Sequence, residues 1–220
     1  MSRSDQRYWN AAYSDPSFSA DHDGWLERYL PLLHPSKGTV VDLGCGLGHN
    51  ARALAAKGFD VLACDLSEKA LARLRREEPG IGTLRLDMAE GLPFADGSLQ
   101  AVVADLSLHY FPGNVTRRIV GDIRRALAPD GLLLCRLNAI SEMDGGRDRA
   151  VSDDPYLFAS EGILRRFFDE GEIAKFFPDA DWETLERREY ESGRYGKTKT
   201  LWETGLRKIS REKGERHENG

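Results

Sequence analysis

The sequence predicts an α/β fold, a doubly wound and mostly parallel sheet with helices on both faces. Three observations predict it. A β-branched, apolar run ends in a glycine loop, Thr39-Val-Val-Asp42-Leu-Gly44-Cys45-Gly46-Leu-Gly48. A helical pattern follows at once, with Ala51, Leu54 and Ala55 apolar and Arg52 and Lys57 between them. Two more strand-like runs, 60–65 and 81–86, end like the first beside an acid, Asp65 and then Asp87-Met88.

Taken in order, residues 8–13 and 25–33 read as two short helices before the sheet. The run from Thr39 reads as a buried strand. Glycines at every second position let the backbone turn tightly and let a ligand approach with no Cβ in the way. The helix start beyond them offers free N–H groups and a partial positive charge. A polar small molecule fits such a cradle. After the second run, Ser67 is a candidate cap for the next helix, with Glu68 in its first turn. Beyond Asp105, residues Val115, Ile119, Val120, Ile123 and Leu127 share one helical face. Residues 131–138 form a fifth strand. Residues 139–158 are polar and aperiodic, with Gly145-Gly146, and read as part of a substrate lid. Residues 160–177 look helical, with a new turn starting at Asp169-Glu-Gly-Glu172. Two last strands, 182–190 and 199–208, would join around Ser192-Gly193. The division is then a single domain over 1–208: N-terminal helices and cofactor cover 1–36, core 37–138, lid 139–168, and final helix with strand pair 169–208. The charged tail 209–220 reads as disordered.

Composition narrows the function classes. At 220 residues, 40% hydrophobic and 30% charged, the chain has the make-up of a soluble globular domain. No apolar run approaches a membrane span, and Met-Ser-Arg-Ser-Asp-Gln carries no signal-peptide core. The net charge of −5, without a basic block, argues against nucleic acid as the main partner. The Arg pairs 75–76, 117–118, 124–125, 165–166 and 187–188 read as solvated helix faces. Three cysteines without metal spacing fit reduced, buried thiols in a cytoplasm, and the five histidines show no zinc pattern, so no metal is expected.

The loop's spacing narrows the ligand. A dinucleotide fingerprint is G-x-G-x-x-G, whose third glycine would fall on His49 here. Asp42, two residues before Gly44, would repel a pyrophosphate but suit an amino group or a water. A nicotinamide dehydrogenase is therefore disfavoured. Asp65, 21 residues after Gly44, stands where doubly wound folds hold a ribose diol. Met88 offers a flexible apolar surface for an aromatic ring. Any one of these acids is equally a turn or cap residue; three in register with a glycine loop favour a site.

With these residues in view, the chain resembles the class I S-adenosylmethionine-dependent methyltransferases. The resemblance is good over residues 39–138, and the element order fits to about Lys208. Asp42-Leu-Gly-Cys-Gly-Leu-Gly48 matches the family's first motif, and Asp96-Gly-Ser-Leu-Gln-Ala-Val-Val-Ala-Asp105 its fourth strand, although Gln100 stands where the family usually has Asp. Leu127-Ala-Pro-Asp-Gly-Leu-Leu-Leu134 matches the turn into the fifth. The resemblance implies a Rossmann-like, seven-stranded sheet with an antiparallel final strand. It also implies S-adenosyl-L-methionine as cofactor and S-adenosyl-L-homocysteine as product.

By the same resemblance, Gly44, Gly46 and Gly48 line the methionine part, Asp65 binds the ribose hydroxyls, Asp87 faces the adenine amino group, and Asp42, Cys45 and Asn50 are further cofactor-binding residues. Leu66 and Met88 flank the adenine, and the backbone near Asp105 and Leu106 accepts from the amino group. Asp105-Leu-Ser-Leu-His-Tyr110 is not the Asn/Asp-Pro-Pro-Tyr/Phe sequence of amino-methylating enzymes on DNA adenine or glutamine, and the Pro-Cys nucleophile of pyrimidine C5 methylation is missing. A short N-terminal aromatic segment, a Tyr-Leu-Phe lid and an Arg-Tyr-Gly-Lys before the last strand resemble small-molecule enzymes of the bacterial tellurite-resistance type.

A sulfonium methyl needs an aligned nucleophile and a dry site more than a strong base. His109 is the candidate base, with a pKa suited to neutral pH; packing is its alternative role. Tyr8, Trp9, Tyr13 and Tyr110 would wall the pocket, and Arg147 and Arg149 of the lid could hold a substrate carboxylate. The function predicted is methyl transfer to a small-molecule acceptor. A cofactor-binding regulatory protein, or a protein methyltransferase, would use the same residues.

Overall fold

A computed structural model describes residues 3–15, 23–143, 151, 154–160, 162–194 and 197–210. Five strands, β1 (Thr39–Leu43), β2 (Val61–Asp65), β3 (Gly82–Arg85), β4 (Leu99–Asp105) and β5 (Leu127–Asn138), run parallel. A short hairpin, β6 (Leu157–Ser160) with β7 (Ile163–Arg166), follows, and then β8 (Trp182–Arg194) and β9 (Lys197–Lys208). The main sheet has seven strands in the order β3-β2-β1-β4-β5-β9-β8, with β9 antiparallel to both neighbours. The order reverses between β1 and β4. In such sheets the carboxyl ends of the strands part there and open a crevice.

The strands are apolar because both faces are covered. Side chains alternate along each strand. Val41, Val102 and Leu133 point into one layer with Ile119 and Ile123 of α4 (Gly113–Ala126) and Ile173 and Phe176 of α5 (Glu170–Phe176). Val40, Val103 and Leu134 point into the other, against Leu54 of α2 (His49–Ala56) and Leu71 and Leu74 of α3 (Glu68–Glu77). Ser67 caps α3 as its sequence suggests, accepting from the Ala70 N–H at 3.3 Å. The N-terminal helix α1 (Arg3–Ala12) lies over α3, tied by the Ser67 hydroxyl donating to Asn10 at 2.7 Å.

Several elements differ from the sequence expectation. Residues 25–33 form two 3-10 turns, Trp25–Arg28 and Leu30–Leu32, since Pro31 cannot donate to a continuing helix. Residues 160 and 162–166 are not helical. Gly162 takes a left-handed φ of 77°, which turns the chain back as a hairpin, and helix begins only at Glu170, capped by Asp169. Arg166 is not solvated. It is buried, paired with Glu172 at 2.6 Å and with Asp154. Ser192 and Gly193 are not a turn but pair with Lys199 and Thr198 in the β8–β9 ladder. β5 begins at Leu127, four residues early, through a bulge against β4.

Candidate active site

The crevice at the β1/β4 boundary holds a cavity of about 220 Å³. Gly44, Cys45, Gly46, Asn50, Asp65, Leu66, Asp87, Met88, Asp105 and Leu106 line one part of it, and Tyr8, Trp9, Tyr13, His109 and Tyr110 the rest. Arg147 and Arg149 lie outside the described residues.

The glycines are steric requirements. Gly44 and Gly46 have φ of 77° and 53°. A Cβ on Gly44 would sit 2.4 Å from the Ser107 Cβ, whose own hydroxyl is pinned by donating to the Leu43 carbonyl at 2.7 Å. A Cβ on Gly46 would meet the Tyr13 hydroxyl at 2.7 Å. The N–H groups of Gly44 and Cys45 both donate to the Cys64 carbonyl, at 2.8 and 2.9 Å, and tie the loop to β2.

The acids at the strand ends are turn or cap residues, one of the two roles the sequence allowed, and they border the cavity as well. One Asp65 oxygen accepts from the Gly46 N–H at 2.8 Å, the other from the Ser67 N–H at 2.7 Å. Burial raises the Asp65 pKa, and these N–H bonds work against the rise. Asp87 caps the Met88–Glu90 turn by accepting from the Ala89 N–H at 2.9 Å. Both carboxylates nonetheless face the cavity.

Asp42 and Gly48 are corrections, because neither lines the cavity. The strand's alternation sends the Asp42 side chain toward α2, where it accepts from the Ala51 N–H at 3.0 Å. Burial, then the charge of Asp105, push its pKa up to about 8. Gly48 caps α2 with φ 79°, and a Cβ there would meet Leu74 at 2.7 Å. Both shape the cradle from behind.

Around Asp105 lies a polar network that sequence reasoning missed. Arg136 of β5 donates to both Asp105 oxygens at 2.8 Å, to the Tyr190 hydroxyl at 3.1 Å and to Asp23, and it stacks over Trp25 at 4.7 Å. Trp25 donates to Asn50 at 3.0 Å, and Asn50 donates to Asp105 at 3.2 Å. The next residue, Leu106, is held at φ 53°, a strained value for a non-glycine, on the cavity wall.

At the other end, His109 sits on the Leu108–Tyr110 turn, 2% exposed. Its Nδ1 has no hydrogen-bond partner among the described residues. Burial, then the positive charges of Lys199 and Arg165, lower its pKa to about 3, against the opposing pull of Asp105. The near-neutral pKa predicted from sequence is corrected accordingly: His109 is a neutral imidazole. Trp9 stacks on Tyr13 at 5.8 Å and meets Tyr110 edge-on at 5.1 Å, so α1 roofs the cavity. Leu47, His49, Leu86, Ser107 and Lys199 also line it and were not singled out. The first four adjoin predicted residues in sequence; Lys199 gave no signal. Cys45 lines the cavity as well, but burial raises its thiol well above the usual range, which removes it as a nucleophile.

Comparisons with known proteins agree with this geometry. Residues 40–131 match the family described as a methyltransferase domain. The Bacillus subtilis protein named "Putative methyltransferase YqeM" is 35% identical over 204 residues, covering 80% of this chain and 81% of that protein. The demethylmenaquinone methyltransferase of Beutenbergia cavernae is 36% identical over 113 residues, 50% of this chain, which spans only 45% of that relative's length. In fold, the chain resembles the Burkholderia thailandensis 1,6-didemethyltoxoflavin-N1-methyltransferase, solved with S-adenosylhomocysteine and 1,6-didemethyltoxoflavin bound, with a TM-score of 0.64, 18% identity and coverage of 94% and 80% of the two chains. No helix among the described residues is long and apolar enough to cross a membrane.

Proposed function

The chain belongs to the class I S-adenosylmethionine-dependent methyltransferases, and from that premise we propose that it transfers the methyl group to a small-molecule acceptor inside the cavity under α1. The observation that carries this reading is the cavity itself. One continuous cavity joins the glycine loop, Asp65 and Asp87 to Trp9, Tyr13 and Tyr110.

The cofactor fits the residues present. The glycine loop lines the cavity at Gly44, Cys45 and Gly46, and Asp65, Asp87, Leu66 and Met88 line it with them, so it offers backbone, two carboxylates and an apolar pair to one ligand. Asp65 would hold the ribose hydroxyls with the lone pairs that Gly46 and Ser67 leave over. Leu66 and Met88 would flank the adenine, and Asp87 would face its amino group. Asp105, Leu106, Asn50 and Cys45 would surround the amino-acid part. When bound, the cofactor supplies a methyl group already activated on a sulfonium. The protein's own contribution is positioning and exclusion of water. Trp9, Tyr13 and Tyr110 cover the space, and His109 presents a neutral imidazole for a hydrogen bond rather than a base.

A small acceptor suits a cavity of about 220 Å³ bordered by aromatic rings better than a chain segment does. The relatives named for demethylmenaquinone and didemethyltoxoflavin support the same class. The test is transfer of isotopic label from methyl-labelled S-adenosylmethionine to a panel of thiols, phenols, amines, carboxylic acids and metalloid oxyanions. Label in at least one acceptor is the expected result. Tight cofactor binding with no label in any of them would favour a regulatory protein instead.

A further inference from the structure

We propose that Arg136, which stands behind the cavity lining, is the positioning residue for the half of the site that takes the cofactor's amino-acid part. This rests on the cofactor site described above and assigns a role to a residue outside it.

Four side chains from four segments close a ring. Arg136 of β5 donates from Nε and Nη2 to the two Asp105 oxygens, each at 2.8 Å. Asp105, at the end of β4, accepts from the Asn50 amide of α2 at 3.2 Å. The Asn50 oxygen accepts from the Trp25 indole at 3.0 Å, and the Trp25 ring meets the guanidinium at 4.7 Å. Arg136, Asn50 and Trp25 are buried, and the Asp105 side chain is 6% exposed. Asp105 and Asn50 line the cavity; Arg136 and Trp25 do not. The ring orients Asn50. An amide offers donors on one side and an acceptor on the other. With an indole N–H on one flank and a carboxylate on the other, one orientation satisfies both.

Arg136 also grips backbone. It pairs with Asp105 across the parallel ladder, and its carbonyl accepts from the Leu106 N–H at 3.0 Å. Leu106 lines the cavity with φ 53°, a conformation that persists where the surroundings fix it. Arg136 Nη1 carries the hold outward to Tyr190 of β8 at 3.1 Å and to Asp23. The planar fork is what meets both Asp105 oxygens; a lysine would keep the charge and lose that geometry. The adenosine half is held by other bonds. Asp65 accepts from the Gly46 and Ser67 N–H groups, and Asp87 from the Ala89 N–H. Loss of the fork therefore loosens one half of the site and spares the other.

The test compares two ligands on the full-length protein by calorimetric titration. One is S-adenosylhomocysteine. The other is 5′-methylthioadenosine, which keeps the adenine, ribose and thioether but lacks the amino-acid part; displacement titration reads its weaker binding. Circular dichroism sets a temperature at which each variant is folded. Arg136→Lys should weaken S-adenosylhomocysteine about 10-fold and change methylthioadenosine by less than about 2-fold. Trp25→Phe keeps an aromatic face for the guanidinium and removes the indole donor. It should give the same split more weakly, and it decides the matter if Arg136→Lys does not fold. Equal losses for the two ligands, no loss for S-adenosylhomocysteine, or a native protein that binds no methylthioadenosine overturns the proposal. Native affinity for S-adenosylhomocysteine is measured first. Its absence overturns the cofactor reading and this proposal together, whereas losses that do not separate in a protein that binds it overturn this proposal alone.

Discussion

Replacing Arg136 with Met should destabilise the fold far more than an ordinary surface arginine would. Its side chain is 1% exposed, and that of Asp105 is 6% exposed. The pair exchanges two hydrogen bonds of 2.8 Å. Methionine fills much of the volume over Trp25 but takes the guanidinium and both of its bonds from the buried Asp105 carboxylate, which keeps the Asn50 amide 3.2 Å away. Stranding one member of a buried ion pair costs about 3–5 kcal/mol, a large share of the ~5–15 kcal/mol that holds a typical domain together. The second change, Asp105→Asn, removes the stranded charge. In the Arg136→Met background it should restore roughly 1–3 kcal/mol, the usual size of coupling between contacting groups. Urea unfolding followed by circular dichroism, for the parent, both single variants and the double, closes the cycle. A loss under about 1 kcal/mol for Arg136→Met, or strict additivity in the double variant, would refute the claim that this network locks the strand ends.

Three further outcomes follow from the site. Gly44→Ala forces a side chain into left-handed backbone, at roughly 1–3 kcal/mol, and against Ser107. Thermal melting should show the loss, and cofactor affinity should fall with it. Asp65→Ala should weaken S-adenosylmethionine binding by about 1–3 kcal/mol; unchanged affinity would sink the ribose assignment. His109 takes up a proton near pH 6.5 in the unfolded chain but only near 3 in the fold. Its contribution is therefore present above 6.5 and is lost as pH falls toward 3. His109→Gln should flatten the acid limb of a stability-versus-pH curve by several kcal/mol, and an unaltered limb would show that the imidazole is not held neutral.

What the sequence made legible is local. The glycine loop is readable because left-handed backbone and close approach leave few residue choices, and Asp65 and Asp87 are readable because they follow apolar runs directly. Face periodicity placed α4 correctly, and Ser67 announced α3. Asp42 shows the limit of such reasoning. Its place beside Gly44 is plain, but the pleat of β1 turns its side chain to α2. Arg136 looked like one more residue of an apolar strand, because its partners Asp105, Asp23 and Tyr190 come from three other segments. Arg166 misled in the same way, since the carboxylates that permit its burial, Asp154 and Glu172, flank the hairpin on both sides. His109 was found by position. Its pKa was not, because burial and the charges on β7 and β9 set it.

The most direct test of the central claim is a calorimetric titration of the purified protein with S-adenosylhomocysteine, S-adenosylmethionine and NADH. The cavity described here predicts micromolar binding of the first two and none of NADH. Binding of NADH alone would contradict the assignment of the glycine loop, Asp65 and Asp87 to a methyl donor.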